Sequence, residues 1–221
     1  MPAVRTSPRA AGADREARLL RAAVRAFAAH GYEGASVRAI CASAESNVAA
    51  VKYYFGDKAG LYAAAIRSAV GSLMAMRPIP PKDVAPDPEM ALFNWVRWGV
   101  EFVLEGGESR VALTKIILRE MREPSPIFRE LFNDIGMPIS HELEAIIADL
   151  ARHRKAQVDV RRLGACVLLL TTQYEHNAPF LQQIGLPPPR TEKEFDALAS
   201  VIVDMAMGAI RPGAGDGGER A

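Results

Sequence analysis

One short helical pattern in this sequence carries side chains that can bind base pairs. Val51 and Phe55 recur at helical spacing and predict a buried side. At a step of about 100° per residue, Ala49, Lys52 and Tyr53 then lie on the opposite side. Because a lysine can donate to guanine O6 and N7, a tyrosine can reach a base or a phosphate, and a small apolar side chain can pack on a thymine methyl, this side is predicted to read the major groove. Two small residues lie beside it: Val48 and Ala50.

A second short helix and a turn are predicted to hold this helix in place. Val37 and Ile40 recur at helical spacing, and residues 44–46 break the pattern before the next helix begins. Small alanines in this segment would let the two helices cross closely, as a helix-turn-helix requires. Ser46 or Asn47 is placed to cap the second helix, and Asn47 is also a candidate DNA contact at its start. Neither helix is long enough to be stable alone, so both must pack on a common core.

Another candidate contact lies at the start of the following helix. Gly56 permits a turn and Asp57 can cap the helix, yet Lys58 puts a positive charge in the first turn, where the helix dipole disfavours it. A bound phosphate would compensate for that charge, and the hydroxyl of Tyr54 can reach the same DNA backbone. The alternative is a lysine that contacts only solvent.

In this order, the segments resemble the N-terminal domain of the TetR family of transcriptional regulators. The resemblance covers about residues 15–66 and rests on the stretch AVRAFAAHGYEGASVRAICASA followed by YYFGDKAGLY. It implies phosphate and base contacts from Ser36 and Arg38 of the second helix. Most members carry a tyrosine where this chain has Lys52, which implies a more electrostatic contact here. The resemblance also implies base contacts from Val48, Ala49 and Lys52, and phosphate contacts from Tyr54 and Lys58.

The sequence further resembles the CecR-like branch of this family, through NVAAVKYYFGDKAGLY together with LTKIILREMREPSPIF. The family resemblance implies an effector site in the C-terminal part, and the branch suggests drug-like or aromatic compounds. Trp95 and Trp98 are three residues apart on one helical face and are large enough to wall a pocket between helices. The alternative is that such residues are ordinary core. The candidate lining residues are Met74, Phe93, Trp95, Trp98, Phe102, Met121 and Phe128, with Arg97, Tyr174 and His176 as polar candidates.

Composition and charge favour two parts in an all-α chain. The 221 residues show no alternating strand pattern. Residues 1–62 hold nine basic and five acidic side chains, a net charge of +4, whereas residues 63–221 hold 18 and 21, a net charge of −3. A basic module joined to a slightly acidic one suits a nucleic-acid-binding domain and a domain without that role. We expect a three-helix DNA-binding domain with a helix-turn-helix at 14–62, a larger helical effector-binding and dimerisation domain at 63–211, and disordered tails at 1–13 and 212–221.

The last two predicted helices are apolar on more than one face. They span about residues 160–176 and 192–210, and the stretches ACVLLL and VIVDMAM leave little polar surface. Such helices need cover on two sides, and an identical subunit can supply one of them around a two-fold axis. A homodimer would also provide the two half-sites that a helix-turn-helix protein needs. The alternative is burial wholly within one subunit.

The histidines and cysteines do not form a catalytic or metal-binding pattern. His141-Glu142 opens like a zinc-protease signature, but Ala145 occupies the position of the second histidine. No Cys/His spacing suits zinc, and Cys41 and Cys166 lie far apart in apolar helical segments. We therefore expect no enzyme activity, no cofactor and no metal. A cluster at 175–177 could orient a ligand, but it also fits a helix end closed by its own polar residues.

These features predict a cytoplasmic DNA-binding transcriptional regulator, a repressor that a ligand releases from a pseudo-palindromic operator. No signal-like segment opens the chain, and the longest apolar run is too short for a bilayer, so no membrane partner is expected. The expected partners are double-stranded operator DNA, a small apolar or aromatic effector, and a second copy of the chain. The alternative is a helical small-molecule-binding or catalytic protein that uses its helix-turn-helix for protein contacts.

Overall fold

The computed structural model describes residues 8–104 and 107–210, and these residues form an all-α structure, as the sequence predicts. Besides the α-helices, these residues include a single turn of 3-10 helix, Lys82–Val84. The helices are α1 Pro8–Gly34, α2 Val37–Ser43, α3 Val48–Phe55, α4 Lys58–Met76, α5 Pro88–Leu104, α6 Glu108–Arg122, α7 Pro126–His153, α8 Val160–His176, α9 Ala178–Gln183 and α10 Glu192–Ala209.

The helices pack as two compact units. Of the described residues, the first unit holds 8–76 together with 107–133, and in it α6 packs against α1 and α4. The second unit holds the described residues 77–104 and 134–210, and in it α5 packs against α8 and α10. The functional boundary after residue 62 stays a prediction, because packing units and functional domains need not share a boundary.

Helix α1 is longer at both ends than the sequence pattern predicts, which is a helix over about residues 14–30. It begins at Pro8, so residues 8–13, which the sequence suggested as part of a disordered tail, are helical. Proline is favoured in a first helical turn, and the alanines and arginines that follow are strong helix formers. The chain leaves helical geometry at Gly31, where φ is +71°, and one further turn reaches Gly34. Residues 1–7 of the predicted N-terminal tail and the whole predicted C-terminal tail, 212–221, lie outside the described residues.

The core of the first unit is built from α1 and α4. Leu19 and Phe27 of α1 are buried, as are Leu61, Ala65 and Leu73 of α4. Helix α4 is long and apolar enough to pass a length-and-composition test for a membrane span, which a core helix of a soluble protein also passes. One side of α4 is buried, with Leu61, Ala65 and Leu73 among its six buried residues, and α4 packs against α1. Helix α4 therefore connects α3 to the rest of the first unit, because it packs against α3, α1 and α6.

A close approach at Gly60 fixes the junction between α3 and α4. A Cβ at this position would lie 1.9 Å from the carbonyl oxygen of Phe55, which is backbone and has little freedom to move. The Gly60 N–H also donates to Asp57 Oδ1 at 2.8 Å, which confirms Asp57 as the cap of α4. Gly71, farther along the same helix, has no heavy atom within 4 Å of the equivalent position.

We expect Gly60→Ala to destabilise the protein by about 1–3 kcal/mol, because the added methyl group forces the α3–α4 junction apart. Gly71→Ala is the matched control and should stabilise it by about 0.5–1 kcal/mol, since alanine costs less backbone entropy than glycine in a helix. Denaturant unfolding of both variants measures the two free energies. Equal and small effects would show that the junction tolerates the methyl group and does not depend on the close approach.

Candidate nucleic-acid interface

Local hydrogen bonds build the helix-turn-helix formed by α2 and α3. Ser36 caps α2, since its Oγ accepts from the Ala39 N–H at 3.5 Å. The turn contains Glu45, whose φ is +48°, and the next helix is capped by Asn47, whose Oδ1 accepts from the Ala50 N–H at 2.9 Å. Of the two candidate caps, Asn47 is therefore the one used. Left-handed backbone at a non-glycine residue keeps the turn tight.

Most of the predicted DNA-reading side chains share the outer face of α3. Tyr53 is 82% exposed, and Val48, Ala49 and Lys52 are also exposed. Ala50 is a correction, because it is only 7% exposed and packs into the core beside Val51. The prediction that Ala50 lies beside the DNA-reading face was wrong. The buried side of α3 is centred between Val51 and Tyr54, and it includes Ala50.

Tyr54 and Lys58 make contacts within the protein. The Tyr54 hydroxyl donates to the Gly12 carbonyl oxygen of α1 at 3.5 Å, and its ring meets the Tyr53 ring edge-on with centroids 5.0 Å apart. Lys58 is half-buried, and its Nζ donates to the Glu33 carbonyl oxygen at 3.0 Å. The alternative of a lysine that contacts only solvent therefore does not describe Lys58, because its ammonium group is held at the surface by backbone.

Two further predicted contacts lie on α2 and its cap. Arg38 is exposed on α2, and Ser36 is exposed at its first turn. Together with Lys52 on α3, Arg38 gives this surface two exposed cations. A surface with cations, a protruding tyrosine and small apolar side chains can contact phosphates and the floor of a major groove.

The tryptophans named as effector contacts are buried in the second unit. Trp95 is 1% exposed, and its Nε1 has no acceptor among the described residues. Trp98 is also buried, and its Nε1 donates to the Arg77 carbonyl oxygen at 3.1 Å. The centroids of the two indoles are 5.8 Å apart, and the Phe102 ring follows Trp98 at 5.2 Å. These three aromatic residues thus form one cluster along α5.

The remaining effector candidates are distributed over both units. Met74 is half-buried on α4, Phe128 is buried in α7, and Met121 is exposed at the end of α6, all in the first unit. Tyr174 is half-buried and His176 is exposed on α8, in the second unit. Their joint lining of one cavity stays a prediction.

Sequence reasoning missed a cavity in the first unit and an ionic cluster in the second. The cavity holds about 430 Å³ between α1 and α4, with an apolar wall that includes Leu20 and Leu73. In the second unit, the buried carboxylate of Glu101 pairs with Arg77, and with Arg97 at 2.6 Å. The cavity and the Arg77–Glu101 pair join residues that are distant in the sequence, whereas the Arg97–Glu101 pair is an i, i+4 contact within α5 that local spacing could have indicated. The described residues hold no group of three His, Cys, Asp or Glu side chains that could bind a metal ion.

Two capped short helices with exposed cations and a protruding tyrosine define a helix-turn-helix DNA-binding protein. The sequence model for bacterial regulatory proteins of the tetR family matches residues 19–65. The model described as HTH-type transcriptional dual regulator CecR, C-terminal domain, matches residues 89–210, more than half of the chain. The chain therefore belongs to the TetR family of DNA-binding transcriptional regulators, in the CecR-like branch.

Solved structures share this fold at low sequence identity. PfmR, a TetR family regulator from Thermus thermophilus, is 21% identical, with a TM-score of 0.63 over 98% of this chain and 100% of that one. AibR in complex with isovaleryl coenzyme A and operator DNA is 19% identical, with a TM-score of 0.64 over 86% and 97%. FadR from Bacillus subtilis in complex with stearoyl-CoA is 15% identical, with a TM-score of 0.66 over 87% and 98%. Among curated protein sequences, none matches this chain.

Proposed function

We propose that this regulator is a cytoplasmic homodimeric repressor, which binds a pseudo-palindromic operator through two copies of α3 and leaves it when an effector binds. The observation that carries the proposal is the outer face of α3, where Lys52 and Tyr53 extend into solvent from a helix fixed by the Asn47 cap. Regulation by binding alone accounts for these features, and the proposal includes no catalytic step, cofactor or metal.

The second copy is proposed to cover α10 and α8. Val201 and Met205 lie on the side of α10 that faces away from the core and are 56% and 58% exposed. Leu169 and Leu170 are exposed on α8, which packs against α10 in the same unit. Large apolar side chains exposed on adjacent helices indicate a protein interface. A four-helix contact around a two-fold axis would bury all of them in both subunits.

The effector is proposed to be an apolar or aromatic compound that binds beside the cluster of Trp95, Trp98 and Phe102. Support comes from the indole N–H of Trp95, which has no acceptor within the described part of the chain, because a buried donor without an acceptor costs stability that a ligand oxygen would recover. AibR and FadR were solved with acyl-coenzyme A ligands, and another structure of this fold is described as a flavonoid-responsive regulator. Isovaleryl-CoA, stearoyl-CoA and a flavonoid are therefore the first probes.

We expect an effector that releases operator DNA to change the tryptophan emission of the protein, since Trp95 and Trp98 are the only indoles in the chain. Trp95→Phe removes the free N–H donor while keeping most of the ring volume, and one lost hydrogen bond should weaken effector binding about tenfold. Trp98→Phe is the control, because the Trp98 N–H is already bonded to the Arg77 carbonyl oxygen. Titration of each probe, with operator release measured in parallel, gives both quantities.

Thermodynamic linkage between effector binding and operator binding gives the same experiment a second test. An effector that weakens operator binding by a given factor must itself bind the operator complex more weakly by that factor. A compound that releases the operator, leaves the emission unchanged and binds both variants equally would place the effector site elsewhere in the molecule.

A further inference from the structure

The last turn of α6 is fixed to the first unit by a buried carboxylate. Glu120 is only 5% exposed, and its Oε1 accepts from the Tyr62 hydroxyl of α4 at 2.5 Å. Its Oε2 accepts from the Ser125 N–H at 2.7 Å, in the segment that follows α6. A buried carboxylate is tolerated only when its oxygens are satisfied, and here both oxygens have a donor.

The neighbouring residue fastens the same turn to α1. Arg119 Nη1 donates to the Phe27 carbonyl oxygen at 3.4 Å. The guanidinium group also lies against Gly31, where a Cβ would come within 2.7 Å of Nη1. Two consecutive residues of α6 thus hold two different helices, α1 near its end and α4 in its first turns. The position of α6 is therefore coupled to the place where both helices approach the helix-turn-helix.

Aromatic contacts continue from Tyr62 to Lys58. The Tyr62 ring meets Phe27 edge-on at 4.7 Å and lies 5.1 Å from the Tyr32 ring, measured between centroids. Lys58 Nζ lies 5.0 Å from the centroid of that Tyr32 ring and donates to the Glu33 carbonyl oxygen. Burial and the hydrogen bond to Glu120 both raise the pKa of Tyr62, so its hydroxyl stays protonated and remains a donor. The path from Glu120 to Lys58 contains one hydrogen bond, one ring contact and one cation–π contact.

We propose that Glu120 is a positioning residue for DNA binding, which acts through Tyr62 and Tyr32 to hold Lys58 where it contacts the DNA backbone. The inference rests on the proposed phosphate contact of Lys58. Loss of the Glu120 hydrogen bond releases the Tyr62 hydroxyl from α6. The rings of Tyr62 and Tyr32 can then shift, and the Lys58 ammonium group, which lies over the Tyr32 ring, shifts with them. Helix α6 is therefore a working part of the DNA-binding unit, although it lies about 50 residues after Lys58 in the sequence.

The test compares Tyr62→Phe and Glu120→Gln with the control Glu123→Gln. Tyr62→Phe keeps the ring and removes one oxygen atom, and Glu120→Gln keeps the shape but retains only one acceptor for two donors. Glu123 is exposed just after α6, so Glu123→Gln makes the same chemical change outside the cluster. The probe is the duplex that the wild-type dimer enriches from a random-sequence library, titrated at several salt concentrations.

Both cluster variants are expected to bind this duplex about tenfold more weakly, and the slope of log affinity against log salt should fall by about two units per dimer, one phosphate contact from each subunit. Adding either change to Lys58→Ala should have no further effect on the slope, because the variants remove the same contact. Glu123→Gln should match the wild type.

A lower melting temperature with an unchanged salt slope would overturn the proposal, because it would assign Glu120 to stability alone. An equal loss in Glu123→Gln would overturn it as well. If Glu120→Gln does not fold, Tyr62→Phe decides the matter by itself. Lys58→Ala alone tests the phosphate contact, because an unchanged salt slope in that variant would refute the contact of Lys58 with DNA independently of Glu120.

Discussion

The double substitution Val201→Arg, Met205→Arg is expected to convert the protein to monomers and to lower its operator affinity more than a hundredfold. Both side chains are exposed on α10, where the proposed two-fold axis would bring four added positive charges into one contact, against two carboxylates from the exposed Asp204 of the two subunits. Operator binding should fall with the dimer, because a single half-site makes half of the phosphate and base contacts of the pair. Light scattering measures the mass, and operator titration measures the affinity.

Two controls distinguish a broken interface from an unfolded domain. Gln157→Arg adds a charge at an exposed position that lies outside the helices and should leave both mass and affinity unchanged. Ile202→Arg changes a residue that is buried within its own subunit, and it should unfold the second unit rather than produce folded monomers. If the variant with both Val201 and Met205 replaced stays dimeric, the dimer interface does not lie on this face of α10.

The second large effect is expected for the double substitution Lys52→Ala, Tyr53→Ala on the outer face of α3. Each lost base contact should cost about 1–3 kcal/mol, and the dimer makes each contact twice. Specific binding should therefore fall more than a hundredfold, while both changes remove exposed side chains and should leave the melting temperature within a few degrees. Fluorescence anisotropy on the selected duplex and on a scrambled duplex measures the specificity ratio.

Lys115→Ala is the matched control for the lost charge. Lys115 is exposed on α6, in the same unit as α3, so its removal lowers the net charge of the dimer by the same amount without changing the reading face. A similar loss of specificity in Lys115→Ala would mean that general charge, and not the face of α3, determines the binding.

Local sequence signals predicted the helix-turn-helix closely because its structure is made by local contacts. The Asn47 cap, the Asp57 cap and the exposed positions of Lys52 and Tyr53 each follow from residues no more than a few positions away. The misplacement of Ala50 shows how precisely periodicity can locate the buried side of a short helix. Two apolar positions on an eight-residue helix define the centre of the buried arc only to within one helical step.

Contacts between distant segments were not predictable in the same way. The hydrogen bond between Tyr62 and Glu120 joins residues 58 positions apart, and nothing in either local pattern specifies the partner. Periodicity gives the face that a helix buries but not the helix that covers it, so the packing of α6 in the first unit could not be inferred. Helix α9 was also missed, because six residues are too few to show a period.

Selection of bound sequences from a random duplex library, carried out in parallel with the wild-type protein and the Lys52→Ala, Tyr53→Ala variant, tests operator recognition by α3 most directly. The wild-type dimer should enrich a pseudo-palindrome whose half-sites are about 10–10.5 base pairs apart, or a multiple of that spacing, because two copies of α3 must enter major grooves on one face of the duplex. The variant should enrich no such sequence. Enrichment of the same palindrome by both proteins, or of none by the wild type, would contradict operator recognition by α3.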